Sequence, residues 1–451
     1  MRAWVAAGVC LLLGACGHYQ RYAPAPPELA RFPAALDARR LDDRPAGAVW
    51  SSADLLAAAL ARNPVVAQAA ARYRTALAAA RTARTPPPPT LTLTAEYAND
   101  ATTSSPWLFG GLTDIPLDIG GRKATRYAAA DLAVIQALYD YGEAAWAVRT
   151  ALARAEVELS VADDEIALAM RAVAVRQDRF DRLQARVAAG EDARPASLLA
   201  QTDLATSQRR VADAGARREA ARVALAKALG MSVAQLPPLA VASVIRAPDE
   251  TALAAWRTEA ALSRRDVLRA VTDYDLAETA LRLEIAKQYP EVRIGPGYTW
   301  ERGLTKLPFN LTLVLPPRDL NGAAIAQAEA RRTESGRTLE AVQANALAAV
   351  DQAVAALAAA RAQAARIQGV DLAIAARTAS TTRALVQGGE LDRLDQLAAE
   401  AAQIDVELAI LDLRRTTALA GVDLEDALRR SFDPAETALL QETVKTLGAA
   451  G

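Results

Sequence analysis

The chain has 451 residues, and 52 Lys and Arg balance 53 Asp and Glu to give a formal net charge of -1. That balance gives no electrostatic reason to expect a nucleic acid partner. A hydrophobic fraction of 52% excludes a disordered chain, and an aromatic fraction of only 5% is typical of long helices and coiled coils. One His and two Cys provide too few ligands for a zinc, haem or iron–sulfur site, so we expect no metal and no cofactor.

The N-terminus is predicted to be a lipoprotein signal peptide, residues 1–15. Arg2 precedes an apolar run over 3–13 that is too short to span a membrane. The following segment, 13–16, reads Leu-Gly-Ala-Cys and resembles the bacterial lipobox, in which the Cys is acylated. Cys16 is therefore the predicted lipidation site, and Gly17 after it favours the outer membrane by the same resemblance. An ordinary signal peptide that contains a Cys is the alternative.

Residues 16–50 are predicted to be a lipidated N-terminal tether, because five prolines interrupt any sustained periodicity. No later segment reaches about 18 consecutive apolar residues, so we expect no transmembrane helix. A membrane-spanning region would then have to be a closed β-barrel, since only helices and closed barrels satisfy the backbone in lipid.

An internal two-fold repeat of about two hundred residues is predicted from three matches in the same order. The paired positions are 201, 199 and 202 residues apart: Asp118 with Asp319, Gly190 with Gly389, and Pro88 with Pro290. We accordingly divide the chain into a first repeat (51–230), a linker (231–250), a second repeat (251–431) and a C-terminal tail (432–451).

Each repeat is predicted to contain the same elements in the same order: a helix, two strands, a very long helix, a Gly-containing break and a further helix. The helix before the strands covers 51–85 and 251–288. The strands cover 90–97 and 106–115, then 291–300 and 305–315. The long helix covers 121–187 and 323–386, and the last helix covers 195–229 and 391–430. A 67-residue helix would extend roughly 100 Å, which requires a rod or a tube.

The strand predictions rest on alternation of apolar and polar side chains. Leu91, Leu93 and Tyr97 lie on one side of the first strand, and Thr residues lie on the other. Such strands suit a membrane barrel with an apolar outside and a polar lumen, although a small soluble hairpin packed on helices is the alternative. Four strands cannot close a barrel, so two or three chains would have to share one; transport favours three, because eight-stranded barrels fill with side chains.

The helices carry coiled-coil spacing. Apolar residues step by three and four through the last helix, at Leu394, Leu397, Ala401, Ile404, Leu408 and Leu411.

This layout resembles the TolC-like outer-membrane efflux proteins over residues 51–431. The repeat, the strand pairs, the Pro-x-Asp segments at 116–121 and 317–322, and the Gly-Glu stretch at 389–397 carry the resemblance. The resemblance implies a mainly α fold with a small β part: a homotrimer with a twelve-stranded transmembrane β-barrel and a long α-helical barrel across the periplasm. It also implies a periplasmic adaptor and an inner-membrane pump as partners. With the lipobox, the chain is most similar to lipoprotein members that serve resistance-nodulation-division pumps.

By this resemblance the two Gly-containing breaks are periplasmic tips that contact the adaptor. The implied tip residues are Gly190, Glu191 and Arg194 in the first repeat, and Gly388, Gly389, Glu390 and Arg393 in the second. Arg194 and Arg393 are potential partners across a closed tip. Ordinary helix-loop-helix turns are the alternative interpretation, because Gly is common where a helix ends.

The family pattern also places two acidic residues after the second tip as pore-constricting rings. Asp395 occupies the first position, whereas Ala398 occupies the second, and Asp392 is the candidate replacement. A ring of carboxylates would select cations. The alternative is that both acids lie on a solvated coiled-coil face.

No phosphate-binding loop, dinucleotide fingerprint or serine nucleophile motif occurs, so we expect no enzyme. Two alternatives to an efflux channel remain. One is the outer-membrane channel of a type I protein secretion system, and the other is a lipid-anchored periplasmic coiled-coil protein without a pore.

Overall fold

The computed structural model describes residues 22–41, 49–99, 105–241 and 250–449, so the predicted signal peptide and Cys16 lie outside the described residues. The helices, in chain order, are α1 (Arg31–Ala38), α2 (Ser52–Arg62), α3 (Pro64–Arg84), α4 (Arg122–Ala188), α5 (Arg194–Leu229), α6 (Glu250–Ser263), α7 (Arg265–Ala286), α8 (Gly322–Arg366), α9 (Leu372–Gln387), α10 (Arg393–Leu428) and α11 (Pro434–Ala449). The strands are β1 (Val49–Trp50), β2 (Thr90–Tyr97), β3 (Trp107–Leu117), β4 (Ala240–Val241), β5 (Glu291–Glu301), β6 (Leu304–Lys306) and β7 (Phe309–Val314).

The two halves of the described chain have a similar order of elements: two shorter helices, antiparallel strands, a long helical stretch and a returning helix. The second half has three strands instead of two, and its long stretch consists of two helices. The two returning helices, α5 and α10, have 36 residues each. The predicted strand over 90–97 is confirmed, and the long helix predicted over 121–187 begins and ends within one residue of α4.

The helix predicted over 51–85 is two helices, because the chain turns at Asn63 and Pro64. Asn63 is the N-cap of α3 and accepts a hydrogen bond from the N–H of Val65 at 2.8 Å, while Pro64 occupies the first turn. The Asn63 side chain also donates to the carbonyl of Ala228 at 2.8 Å, which ties this turn to the end of α5. The helix predicted over 251–288 is likewise divided, at Arg264.

The strand predicted over 305–315 is interrupted. Strands β6 and β7 pair with β5 in one continuous antiparallel register, but Leu307 and Pro308 lie between them. Pro308 has no N–H to contribute to a ladder, although its carbonyl accepts from Gly297 at 2.8 Å.

The helix predicted over 323–386 is interrupted by a π-helical turn, Ile367–Asp371, between α8 and α9. A single residue inserted into the helical repeat produces such a turn. Within Gly322–Gln387, one 18-residue window is apolar enough by composition to cross a membrane, which the sequence analysis did not expect. One such window is weak evidence for a membrane span, because its apolar character comes largely from alanine.

Both predicted terminal extensions are partly folded. Within the predicted tether, α1 is helical, Leu41 is buried, and Arg39 Nη1 donates to the carbonyls of Arg62 (2.9 Å) and Gly230 (2.5 Å). The predicted C-terminal tail is mostly the helix α11, which buries Leu440 in the first core. Sequence analysis missed α1 because it has only eight residues and contains Pro33 in a proline-rich segment.

The buried residues form several clusters along the helices rather than one central core. One cluster joins α2, α3, α4, α5 and α11 around residues such as Leu56, Trp146 and Leu225, and a second joins α6, α8 and α10. Further along α4 and α10, towards the turns, Ala172 on α4 packs against Ile404 and Leu408 on α10. The predicted coiled-coil face of α10 is therefore largely buried, as its spacing of three and four residues requires.

Candidate functional site

The antiparallel sheet has five strands, of which β6 and β7 pair one after the other with β5, and it has one apolar and one polar face. Strand order is β2, β3, β5 and then β6 with β7. The register aligns apolar residues across every strand: Leu93 with Gly111, Phe109 with Trp300, Ile115 with Ile294, and Ile294 with Leu311. Many of these side chains are exposed; Leu93 is 75% exposed and Phe309 is 66% exposed. An exposed apolar surface of this extent marks an interaction with a membrane or with another protein.

Aromatic rings cluster at one end of the apolar face. Tyr97 and Trp107 contact at a centroid distance of 4.9 Å, Trp107 stacks on Phe109 at 5.4 Å, and Phe109 lies 6.3 Å from Trp300. Aromatic residues also concentrate at the membrane–water interfaces of transmembrane barrels.

The opposite face carries Thr side chains and ion pairs. Arg293 pairs with Asp114 (3.1 Å) and Glu291 (2.9 Å), and Arg122 at the start of α4 pairs with Glu291 (3.4 Å). Charges on this face and apolar side chains on the other form the pattern of strands that separate lipid from an aqueous lumen.

Both edges of this sheet lack a partner strand within the described part of the chain. The outer edge of β2 and the outer edge of β7 therefore present unpaired N–H and C=O groups. Such edges are not tolerated in lipid.

The two helical hairpins turn through the same Schellman geometry. At the first turn, between α4 and α5, Gly190 has φ +78° and its N–H donates to Val187, while the N–H of Glu191 donates to Arg186 at 2.9 Å. At the second, Gly389 has φ +79° and repeats these two bonds with Glu390. A positive φ favours Gly, which is why the two glycines recur at the predicted offset.

The remaining predicted tip residues have different roles in these turns. Gly388 has φ −76° and ends α9 in ordinary helical conformation. Glu390 and Arg194 are exposed, and neither side chain has a hydrogen bond or ion pair with another described residue. Arg393 pairs with Asp178 on α4 at 3.4 Å. The role of Arg393 and Arg194 as partners across a closed tip stays a prediction.

Asp392 and Asp395, the predicted constriction residues, form a capping box at the start of α10. Asp392 accepts hydrogen bonds from the N–H of Leu394 (2.7 Å) and Asp395 (3.0 Å), and its own N–H donates to Asp395 Oδ2 at 3.3 Å. The N–H groups of Asp395 and Leu394, with Arg186, hold the pKa of Asp392 below its usual range. Both side chains are exposed, so capping does not remove them from solvent.

Arg186 connects the two turns, and the sequence analysis missed it. Its guanidinium lies 2.7 Å from Asp192 and 3.7 Å from Glu191 in the first turn, and 2.7 Å from Asp392 in the second. Arg186 lies one helical turn before Gly190, on a helix with many other arginines. Its position relative to the Gly is the only sequence signal that could have found it.

No group of three or more His, Cys, Asp or Glu side chains in the described ranges is arranged to hold a metal ion.

Comparison with known proteins confirms the predicted resemblance to the TolC-like outer-membrane efflux proteins. Residues 55–231 match the outer membrane efflux protein family model. No curated protein sequence matches the chain.

Solved structures resemble most of the chain in fold. The outer membrane protein VceC from Vibrio cholerae is 19% identical, with a TM-score of 0.68 over 85% of this chain and 97% of VceC. The Neisseria gonorrhoeae MtrE outer membrane channel is 18% identical, with a TM-score of 0.69 over 92% and 98%. The Campylobacter jejuni CmeC outer membrane channel is 13% identical, with a TM-score of 0.68 over 95% and 98%. At these identities the likeness shows a shared fold.

Proposed function

We propose that this chain, which resembles the outer membrane efflux proteins in sequence over 55–231 and in fold over most of its length, is the outer-membrane channel of a tripartite efflux system. In this proposal it is a homotrimer and a passive conduit. A periplasmic adaptor connects it to an inner-membrane pump that supplies the energy. The observation that carries the proposal is the sheet: one face apolar and exposed, the other charged, with both edges open.

The strand directions support closure by identical copies. Neighbouring strands alternate in direction from β2 through β3 and β5 to β7, so β2 and β7 run antiparallel to each other. The β7 edge of one protomer would therefore meet the β2 edge of the next in the same antiparallel pattern. Three copies would give a twelve-stranded barrel without an open edge, with the two similar halves of each chain contributing two strands each.

The acidic capping box supports a constriction at the second turn. Asp392 and Asp395 correspond, at the 199-residue offset, to Ala193 and Ala196 in the first repeat, so only the second turn carries these carboxylates. In a trimer they would form acidic rings. Arg186 would hold the second turn of each protomer against the first and keep the tip narrow.

We propose that the exposed turn residues contact the adaptor and that Cys16 carries the lipid anchor. Glu191 and Glu390 occupy the same position in the two Schellman turns, and Arg194 is exposed beside the first. A surface with the same acidic residue displayed twice per protomer would present six equivalent contacts in a trimer.

The test is single-channel conductance of the purified protein in a planar bilayer. Asp392→Asn with Asp395→Asn removes the charges and keeps side-chain oxygens for capping, so we expect reduced cation selectivity. Arg186→Ala breaks the link between the turns, so we expect a larger conductance. Arg337→Ala is the control, because Arg337 is exposed and pairs within its own helix with Glu340, away from both turns.

Unchanged conductance and selectivity in both variants would support the channel and contradict a role for Asp392, Asp395 and Arg186 in its constriction. No conductance from folded wild-type protein would reject the channel and favour the anchored coiled coil without a pore.

A further inference from the structure

Helix α5 carries two stripes of residues with coiled-coil spacing, one buried and one exposed. The buried stripe packs mainly against α4 and consists of Ala200, Leu204, Ser207, Ala214, Ala221 and Leu225. The exposed stripe also steps by three and four residues, on the other side of α5: Leu199, Thr202, Thr206, Arg209, Asp213 and Ala216, continuing to Val223. Such a stripe is the contact surface of one helix with another, so α5 has the form of a helix with a neighbour on each side.

The helical stretch of α8 and α9 carries a second exposed stripe. Near the turn it consists of Arg366, Val370, Ile374, Arg377, Thr381 and Ala384, and Ile374 is 61% exposed. Its steps from 362 to 374 are all four residues, which is one residue more than alternating steps of three and four allow. The π-helical turn Ile367–Asp371 takes up that residue. The exposed stripe therefore continues on one side of the helix from α8 into α9.

The two exposed stripes lie at opposite ends of the described row of helices that leads to the turns. In this row α5 packs along α4, α4 along α10, and α10 along α9. The sheet has the same two ends, because α3 leads from the end of α5 into β2, and α8 follows β7. A contact between β7 of one copy and β2 of the next would therefore bring α8 and α9 beside α5 of that next copy.

Within one chain, the equivalent contact between the two hairpins is that of α4 with α10. It joins arginines on α4 to acids on α10: Arg171 pairs with Glu407 at 3.3 Å, and Arg176 pairs with Asp405 at 2.7 Å. In the two similar halves, α8 and α9 correspond to α4, and α5 corresponds to α10. Arginines on α8 and α9 are therefore expected to meet an acid on α5 of another copy.

Arg366 and Asp213 are the charges that fit this expectation. Both are exposed members of the two stripes, and neither side chain has a hydrogen bond or ion pair with any described residue. The charge of Asp213 acts on Arg217, but Arg217 is already bonded to Glu165. One protomer thus leaves a cation on one stripe and an anion on the other without a partner.

The two charges also lie at the same distance from the turns. Arg366 lies 23 residues before Gly389, and Asp213 lies 23 residues after Gly190. The two turns are level with each other, because Arg186 lies 2.7 Å from an acid in each of them. Helices that run in opposite directions from level turns place these two positions side by side.

We propose that α8 and α9 of one protomer pack against α5 of the next copy of this chain, with Arg366 paired to Asp213 of that copy. The proposal rests on the homotrimer of the proposed function and names the helical surface that joins its copies. Arg209, the cation in the α5 stripe, is level with Val370, so its aliphatic stem would cover that apolar side chain.

The experiment is a charge swap in the full chain, purified in mild detergent, with the ratio of trimer to monomer measured by native mass spectrometry after heating. Arg366→Asp and Asp213→Arg each place like charges opposite one another, so each alone should lower this ratio at least about threefold at the wild-type midpoint temperature. The double variant restores the pair with its signs exchanged, so it should recover the wild-type ratio.

The matched control combines Asp213→Arg with Arg361→Asp. It has the same net charge as the double variant, but Arg361 lies five residues before Arg366 and therefore on a different side of α8. This control should dissociate as readily as Asp213→Arg alone. Circular dichroism establishes that each variant is folded, as expected for substitutions at exposed positions of Arg366 and Asp213.

A trimer whose dissociation none of the reversals changes would overturn the proposed surface, and its conductance in a planar bilayer would show that the proposed channel still stands. Equal recovery by Arg361→Asp and Arg366→Asp would overturn the assignment of the pair. A monomeric wild type would overturn the surface, and absence of conductance from that protein would overturn the channel as well.

Discussion

Glu156 is a buried carboxylic acid on α4, only 4% exposed, in a cluster with an excess of acids. Ser52 donates to its Oε2 at 2.6 Å, and its Oε1 has no hydrogen-bond partner in the described structure. The charged groups that act on it are Glu436 and Arg149; Arg149 is itself engaged by Glu425 and Glu436, both at 2.7 Å. Burial, the largest cause, raises the pKa of Glu156 to about 7.

This pKa predicts that the protein loses stability as the pH rises. Below about 4.5 the group is protonated in both folded and unfolded chains, so burial costs nothing. As the pH rises towards 7 the unfolded chain ionises first, and the folded state becomes less stable by roughly 3 kcal/mol above pH 7. Thermal unfolding between pH 5 and 8 measures this loss, and Glu156→Gln should reduce the pH dependence. An equal dependence in both proteins would contradict the assignment.

The hairpin turns are the elements whose stability depends most clearly on single glycines. Gly389→Ala forces a Cβ into the left-handed conformation at φ +79° and should destabilise the turn by roughly 1 kcal/mol. Gly388→Ala is the matched control one residue earlier, since Gly388 has φ −76° and a Cβ there meets no atom closer than 3.6 Å. Hydrogen exchange of the amides of Gly389 and Glu390 measures the difference.

We expect faster exchange in Gly389→Ala and unchanged or slower exchange in Gly388→Ala. Equal effects would mean that crowding, rather than backbone conformation, determines which residue the turn accepts.

The turns also show which parts of the site local sequence can predict. Gly190 and Gly389 were predictable, because a left-handed helix end requires Gly and the repeat displays it twice. The capping role of Asp392 was predictable too, since an acid at the N-cap with another acid three residues later resembles a capping box. The contact of Arg186 with Asp392 was not, because it joins residues 206 positions apart through the packing of two hairpins.

Among the helices and strands, too, local sequence predicts some features and not others. Periodicity predicted where α4, α5, α10 and β2 lie, because a buried stripe or an alternating face repeats over many residues. It did not predict the break at Leu307 and Pro308 or the π-helical turn at Ile367–Asp371, since each depends on one or two residues within a regular pattern. The helix α11 escaped notice because its buried contacts, Glu436 and Leu440, are too few to mark a face.

At the scale of the whole molecule, the long helices and the sheet both present surfaces that one protomer leaves without a partner. The 67 residues of α4 extend roughly 100 Å, far beyond a single core, and leave much of the helix surface without a partner in one protomer. The sheet likewise lacks a partner strand at each of its two edges within the described residues. A rotationally symmetric assembly would cover both, because heterologous contacts repeated around one axis form a closed ring.

Cysteine cross-linking between neighbouring protomers tests this closure. Thr92 on β2 and Thr312 on β7 lie on the polar face, whereas Leu313 lies on the apolar face of the same strand. If β7 of one protomer pairs with β2 of the next, Thr92→Cys should form disulfides with a cysteine on the polar face of β7 and not with one on the apolar face. Three polar-face positions cover the possible registers: Asn310, Thr312 and Val314.

Oxidised membranes should then give dimer and trimer bands on a non-reducing gel for at least one polar-face pair, and none for Thr92→Cys with Leu313→Cys. Thr92→Cys alone controls for Cys10 and Cys16, the only native cysteines. Cross-links from the apolar-face pair would mean that the polar face of β2 adjoins the apolar face of β7. Such a pairing cannot continue a barrel in which one face is polar and the other is apolar. Monomer bands alone, from every pair, would reject the shared barrel.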